Sequence, residues 1–246
     1  MDLAQYEQLI PNAQAEGLTF ITPNQHCAWR VSTLLTKEPD TIKWLHSMKP
    51  GEVLFDVGAN IGQYAMIAAK AGLTVHAFEP EAQNFALLVR NIAINNLSDN
   101  CVPWPVALSD RETIEILHLS GLVAGGSCHS YGESKNFKGE EKPFPHRQGS
   151  MSTTMDHFAY AQSCYPTHIK LDVDGFEHKV VSGGLECIKH ARSVLIEINT
   201  SYEEHNELVS RMTNQFGFHF DAAQAEEARR KDGPFKGVGN IIFYKD

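Results

Sequence analysis

Residues 52–64 read EVLFDVGANIGQY, and this stretch decides the fold. Residues 52–57 form a short apolar run that predicts a strand. Gly58 to Gly62 make a glycine-rich turn, and the helix after it ends at Lys70-Ala71-Gly72. Strand, glycine turn and helix in that order open a βαβ unit, and the chain on both sides continues the pattern. Upstream, residues 40–48 predict a helix, with Ile42 and Leu45 three apart and Pro50-Gly51 ending it. Downstream, TVHAF (74–78) predicts a second strand. Residues 81–95 predict a helix whose Phe85, Leu88, Val89 and Ile92 fall at i, i+3, i+4 and i+7. Further strands are expected at 102–108, 168–172, 193–198, 216–220 and 240–244, with helices at 176–182 and 203–214.

Alternation of this kind is the signature of a doubly wound α/β sheet, mostly parallel. A length of 246 residues fits one enlarged domain, with residues 1–38 as an N-terminal extension. Residues 119–149 carry six glycines and two prolines with weak periodicity, broken at most by short strands. So long an irregular segment predicts a loop that covers the substrate side of the site.

Composition narrows the function. Thirty acidic against 21 basic residues give a formal charge of -9, which opposes the counterion release that drives nucleic-acid binding. No apolar stretch is long enough to span a bilayer, and the opening MDLAQYEQLIPNAQ lacks the apolar core of a secretory signal. A cytoplasmic enzyme acting on a small-molecule or carbohydrate acceptor is the expectation. Cys27, Cys101, Cys128, Cys164 and Cys187 form no CxxC pair and are expected as small buried side chains. Most of the twelve histidines, with no HExxH or HxH among them, are expected at the surface or in loops.

The glycine turn also selects a ligand. Ligands of open α/β sheets bind at the carboxyl ends of the strands, where glycine lets the backbone approach them closely. A dinucleotide site would need glycines where Asn60 and Gln63 stand, and the carboxylate of Asp56 would repel a pyrophosphate. S-adenosylmethionine has no phosphate and carries cationic sulfonium and amino groups, so Asp56 attracts it. Glu79 ends the second strand 17 positions after Gly62, where a carboxylate can accept hydrogen bonds from both ribose hydroxyls.

Two later segments supply candidates for chemistry. In HIKLDVDGFEHKVVSGG (168–184), strand parity puts Lys170 and Asp172 on one face at the ligand edge. Asp174 and Glu177 read as a capping-box-like pair before the next helix. In VLIEIN (194–199), Glu197 and Asn199 share a face beside Asp172. Asp172, Glu197 and Lys170 are therefore the expected catalytic residues. Asp172, Glu197 and Asn199 could instead hold a divalent cation, and cross-strand polar contacts would explain the same residues.

Taken in order, EPDTIKWL, PGEVLFDVGANIGQYA, HAFEPEAQNFALLVRN, VALSD, STTMDHF and IKLDVDGFEHKVVSGG resemble successive blocks of the FkbM family of S-adenosylmethionine-dependent methyltransferases. The resemblance implies a Rossmann-like class I methyltransferase sheet of seven strands with an antiparallel last strand, and methylation of hydroxyl oxygens. It implies that Asp56, Gly58, Asn60 and Gly62 surround the methionine part, Glu79 the ribose and the Ala107 region the adenine. Where the family more usually has DVEG, this chain has Asp174 in place of the glutamate. The chain has no NPPY-type tetrapeptide of amino-methylating relatives, which favours oxygen. Two other classes stay open: a protein that binds an adenosyl ligand without catalysis, and an NAD-dependent oxidoreductase.

Overall fold

A strand whose residues are buried on both parities must lie inside a sheet covered on both faces, and residues 54–57 are all buried. The computed structural model describes residues 9–245. Residues 1–8 of the expected N-terminal extension, which hold the first part of the opening read for a secretory signal, and residue 246 lie outside the described residues. In chain order the first elements are β1 (Asn12–Ala15), β2 (Leu18–Ile21), α1 (Gln25–Ser32), α2 (Leu34–Lys37) and α3 (Pro39–His46). The βαβ core follows as β3 (Val53–Val57), α4 (Gln63–Lys70), β4 (Thr74–Phe78), α5 (Ala82–Ile94) and β5 (Cys101–Trp104). The middle of the chain forms β6 (Ala107–Leu108), β7 (Thr113–Leu119), β8 (Ser130–Tyr131), β9 (His146–Thr153) and α6 (Met155–Gln162). The last part comprises β10 (His168–Leu171), α7 (Glu177–Ser182), α8 (Leu185–His190), β11 (Ser193–Asn199), α9 (Glu203–Asn214), β12 (His219–Phe220), α10 (Ala222–Glu227) and β13 (Val238–Tyr244).

The main sheet runs β12-β13-β11-β10-β3-β4-β5, with β13 antiparallel to both its neighbours and the other pairings parallel. This is the expected doubly wound class I methyltransferase sheet. Parity divides its core. Leu54, Val75, Ala77 and Leu195 pack with α3, α4 and α5 on one face, and Phe55, Val57, Ile169 and Ile196 pack with α6 to α9 on the other. Order reverses between β3 and β10, which opens the ligand crevice at their carboxyl ends.

Four expectations change. The single strand at 102–108 divides into β5 and β6, because Pro105 has no N–H to continue the ladder; β6 pairs with β9 in a second sheet, β6-β9-β7-β8. That sheet takes up both ends of residues 119–149, so the segment is less irregular than its composition predicts. Val89 is exposed, because α5 turns Asn84 and Asn91 inward with Leu88 and Ile92. The strand at 216–220 shrinks to His219–Phe220, after Gly217 at φ +73°. Cys27, Cys101 and Cys187 are buried and the other two cysteines half-buried. Among the histidines, His76, His168 and His205 are buried rather than superficial. Among the described residues no helix is long and apolar enough to cross a membrane.

Candidate active site

At the carboxyl edge of β3, Gly58 and Gly62 hold the turn with φ of +83° and +91°. A Cβ on Gly58 would lie 1.9 Å from the carbonyl oxygen of Asp172, so only glycine lets the turn pack under the end of β10. A Cβ on Gly62 would meet Leu88 Cδ1 at 2.6 Å. Gly62 therefore serves the packing of α4 on α5, and it does not line the cavity that opens here.

That cavity measures about 620 Å³, within the usual range for a small-molecule site. Gly58, Asn60, Phe78, Glu79 and Ala107 line one part, and Asp172, Asp174, Glu197 and Arg230 line another. Glu79 follows β4 and Glu197 lies near the end of β11, three strand spacings of roughly 4.8 Å apart, so one cavity spans the switch point.

Glu79 is buried; its Oε2 accepts the N–H of Asn60 (2.8 Å) and its Oε1 that of Glu81 (2.9 Å). Burial raises its carboxyl to about 7 against the pull of these two N–H groups. Each oxygen keeps a lone pair for a donor in the cavity. The Asn60 amide donates to Gly126 O at 2.7 Å, so the glycine turn is tied to the segment covering it.

Asp56 does not reach the cavity. It is wholly buried beneath it, with both oxygens unpaired by hydrogen bonds and Lys170 Nζ 3.8 Å away; burial pushes its carboxyl up against the attraction of Lys170. Lys170 is buried too, bridges Asp56 to Asp172 (3.0 Å) and lies over the Tyr64 ring. For Asp172, burial acts upward, but Lys170, Lys37 and Arg30 together outweigh it and hold the carboxyl below its usual range. The register Leu171 to Ile196 places Asp172 beside Glu197, as parity predicts. Glu197 has Arg230 at 3.5 Å, yet burial with Asp172 and Asp174 nearby drives its carboxyl well upward.

Asn199 does not join them. Its amide donates to Phe137 O (3.2 Å) and accepts from Ser201 N–H (3.0 Å). Among the described residues no group of three or more His, Cys, Asp and Glu could hold a metal ion. The capping-box pair also divides. Glu177 accepts the N–H groups of Val173 and Gly175, whereas Asp174 turns away and accepts Cys128 N–H at 2.6 Å.

Sequence reasoning missed one wall. Trp29, Arg30 and Lys37, from α1 and α2, line the cavity, and Gly126, Ser127 and His129 close it from residues 120–129. That cover is fastened by Arg30 Nε to Gly125 O (2.5 Å) and by Asn84, which bonds Gly125 N–H (2.7 Å) and Gly126 O (3.1 Å). The Asn24 cap before an apolar-periodic segment is the local signal for α1, and nothing local marks its Arg30 as a site residue.

The family model described as the methyltransferase FkbM domain matches residues 56–220, more than half of the chain. The chain belongs to the FkbM methyltransferase family. Over 46 residues this FkbM chain is 52% identical to 31-O-demethyl-FK506 methyltransferase FkbM of Streptomyces tacrolimicus, which is 18% of each chain. It is 26% identical over 180 residues to hexuronic acid methyltransferase AglP of Haloferax volcanii, covering 71% of this chain and 67% of that protein. The crystal structure of methyltransferase FkbM from Methylobacillus flagellatus KT matches at 15% identity with a TM-score of 0.53, over 90% of this chain and 54% of that one. Trm5b of Pyrococcus abyssi matches at 13% identity with a TM-score of 0.52, over 96% of this chain and 56% of that one. The chain thus spans about half the length of these two solved structures, and at such identities they show the fold alone.

Proposed function

We propose that this chain transfers a methyl group from S-adenosylmethionine to a hydroxyl oxygen of a sugar, glycoconjugate or other small metabolite. The observation that carries the reading is one cavity lined by both Glu79 and the Asp172–Glu197 pair. The donor's parts match its lining. Glu79 offers lone pairs to ribose hydroxyls, Phe78, Ala107 and Leu108 offer apolar surface to adenine, and ionised Asp172 suits cationic groups. When bound, the donor supplies a sulfonium methyl group whose carbon an oxygen lone pair can attack, with the thioether as leaving group.

The chain's own residues would hold the acceptor in line for that displacement, and much of the acceleration comes from such positioning. Asp172, fixed by Lys170, accepts a hydrogen bond from the acceptor, and Glu197, whose carboxyl burial drives well upward, is suited to donate one. The names of two relatives point the same way, one to an oxygen position and one to a hexuronic acid.

Calorimetry with S-adenosylhomocysteine and with NAD tests the donor site, and tritiated methyl donor with the methyl glycosides of glucose and glucuronic acid tests transfer. Binding of S-adenosylhomocysteine and tritium in an alkali-stable ether are expected. Binding of NAD alone would replace this reading with the oxidoreductase.

A further inference from the structure

We infer that Asp174 takes the proton from the acceptor hydroxyl, while its second carboxylate oxygen holds the cover closed over the site. The assignment rests on the methyl-transfer reading and gives one residue of that site a role.

Asp174 lies just after β10 with φ +56°, in the left-handed region that favours glycine. The surrounding turn enforces it. Glu177 accepts from the N–H groups on both sides, Val173 (2.8 Å) and Gly175 (3.1 Å), and His205 Nε2 backs Glu177 at 2.9 Å. The result aims the side chain at the cavity instead of at the end of α7. Oδ2 accepts Cys128 N–H from the cover. Besides that N–H, the Cys128 thiol bears on the carboxyl, and Oδ1 is not sealed among the buried unpaired atoms and belongs to a residue that lines the cavity.

The charged and titratable groups around Asp174 are Asp172, Glu177, Glu79, Glu197, Arg30 and Cys128. Burial, then Asp172, raises the carboxyl to about 7, while Cys128 N–H and Arg30 pull the other way. The neighbouring carboxyls are set elsewhere: Asp172 is committed to Lys170, and Glu197 is driven well upward by burial and the acids beside it. Of the three, Asp174 is the one matched to proton exchange near neutrality.

In the step, the hydroxyl proton passes to Asp174 Oδ1 as the acceptor oxygen forms its bond to the methyl carbon. The electron pair of the breaking carbon–sulfur bond goes to sulfur, which leaves as a neutral thioether. Protonation of Asp174 also takes the charge from the carboxylate that Cys128 N–H holds, and this loosens the cover when product must leave.

The test compares Asp174→Asn and Asp174→Glu with the wild type, using tritiated methyl donor and the two methyl glycosides. Asparagine still accepts Cys128 N–H, so S-adenosylhomocysteine affinity should stay within about threefold while turnover falls at least about 100-fold. Glutamate should recover activity, and the acid limb of the wild-type kcat/KM profile near pH 7 should vanish in Asp174→Asn. Turnover above a tenth of wild type in Asp174→Asn, or an unmoved acid limb, overturns the assignment. If the wild type methylates neither glycoside, carboxyl carbon NMR of aspartate-labelled enzyme decides. A resonance missing from Asp174→Asn should titrate near 7, and a midpoint below about 5 overturns the assignment. Loss of S-adenosylhomocysteine binding in the wild type itself would overturn the donor reading, and this role with it.

Discussion

Replacing Glu79 with glutamine tests the buried carboxyl at the cofactor end. The carboxyl sits at about 7 instead of the ordinary 4.5, because burial disfavours its charge. Below pH 4.5 it is protonated in both the folded and the unfolded chain. As pH rises from 4.5 to 7 the unfolded chain releases its proton first, so folding loses stability across that window and the loss is complete above about 7. At 1.36 kcal/mol per pH unit the loss is roughly 3 kcal/mol. For a chain of this size that is about 6–12 °C in melting temperature. Glutamine carries no such proton, and its amide keeps one acceptor for Asn60 or Glu81 N–H. Most other titrating groups move both proteins together, so the difference between the two melting curves reports Glu79 and the Asp174 carboxyl that feels its charge. Scanning calorimetry of both proteins from pH 4.5 to 8.5 should show the wild type losing ground to Glu79→Gln by that amount. At pH 8.5 the variant should bind S-adenosylhomocysteine about tenfold or more weakly, having lost a charged acceptor for the ribose. Melting temperatures that run parallel across the whole range would refute the assigned cause, and unchanged affinity would move the ribose elsewhere.

Gly62→Ala should lower the melting temperature by about 5–10 °C, from a left-handed backbone and a Cβ driven against Leu88, yet leave S-adenosylhomocysteine affinity within about threefold. Lost affinity in a variant that melts normally would return Gly62 to the cofactor site. Asn84→Ala removes both hydrogen bonds that α5 makes to the cover, so amide exchange across residues 120–129 should speed up about tenfold or more while β10 stays protected. Unaltered exchange in the cover would show that Arg30 and Asp174 suffice to hold it.

The sheet was legible because its signals are local. Periodicity, glycine placement and strand parity put Asp172 next to Glu197, and the register agrees. Elsewhere a local signal met a competing demand. Asp-x-x-Glu before a helix invites a capping pair, but Cys128 N–H from a distant segment captured Asp174. The break after Trp104 had a local cause in Pro105, yet the pairing of β6 with β9 depends on where a strand 40 residues later lies.

What the sequence determined by itself was the order of elements, the glycine turn and the face of each strand residue, because backbone sterics and hydrophobic spacing act within a few positions. Tertiary structure alone decided which of the residues on that face reach the cavity. Asp56, Lys170 and Asp172 share parity, but depth beneath the strand ends divides them. Asp56 and Lys170 form a buried charge pair that supports the floor, and Asp172 opens onto the cavity. Tertiary structure likewise brought Arg30, Gly126 and Asp174 together from three remote parts of the chain. Each makes its contacts across loops that no spacing rule links, because a loop fixes which elements are joined and not where its side chains close.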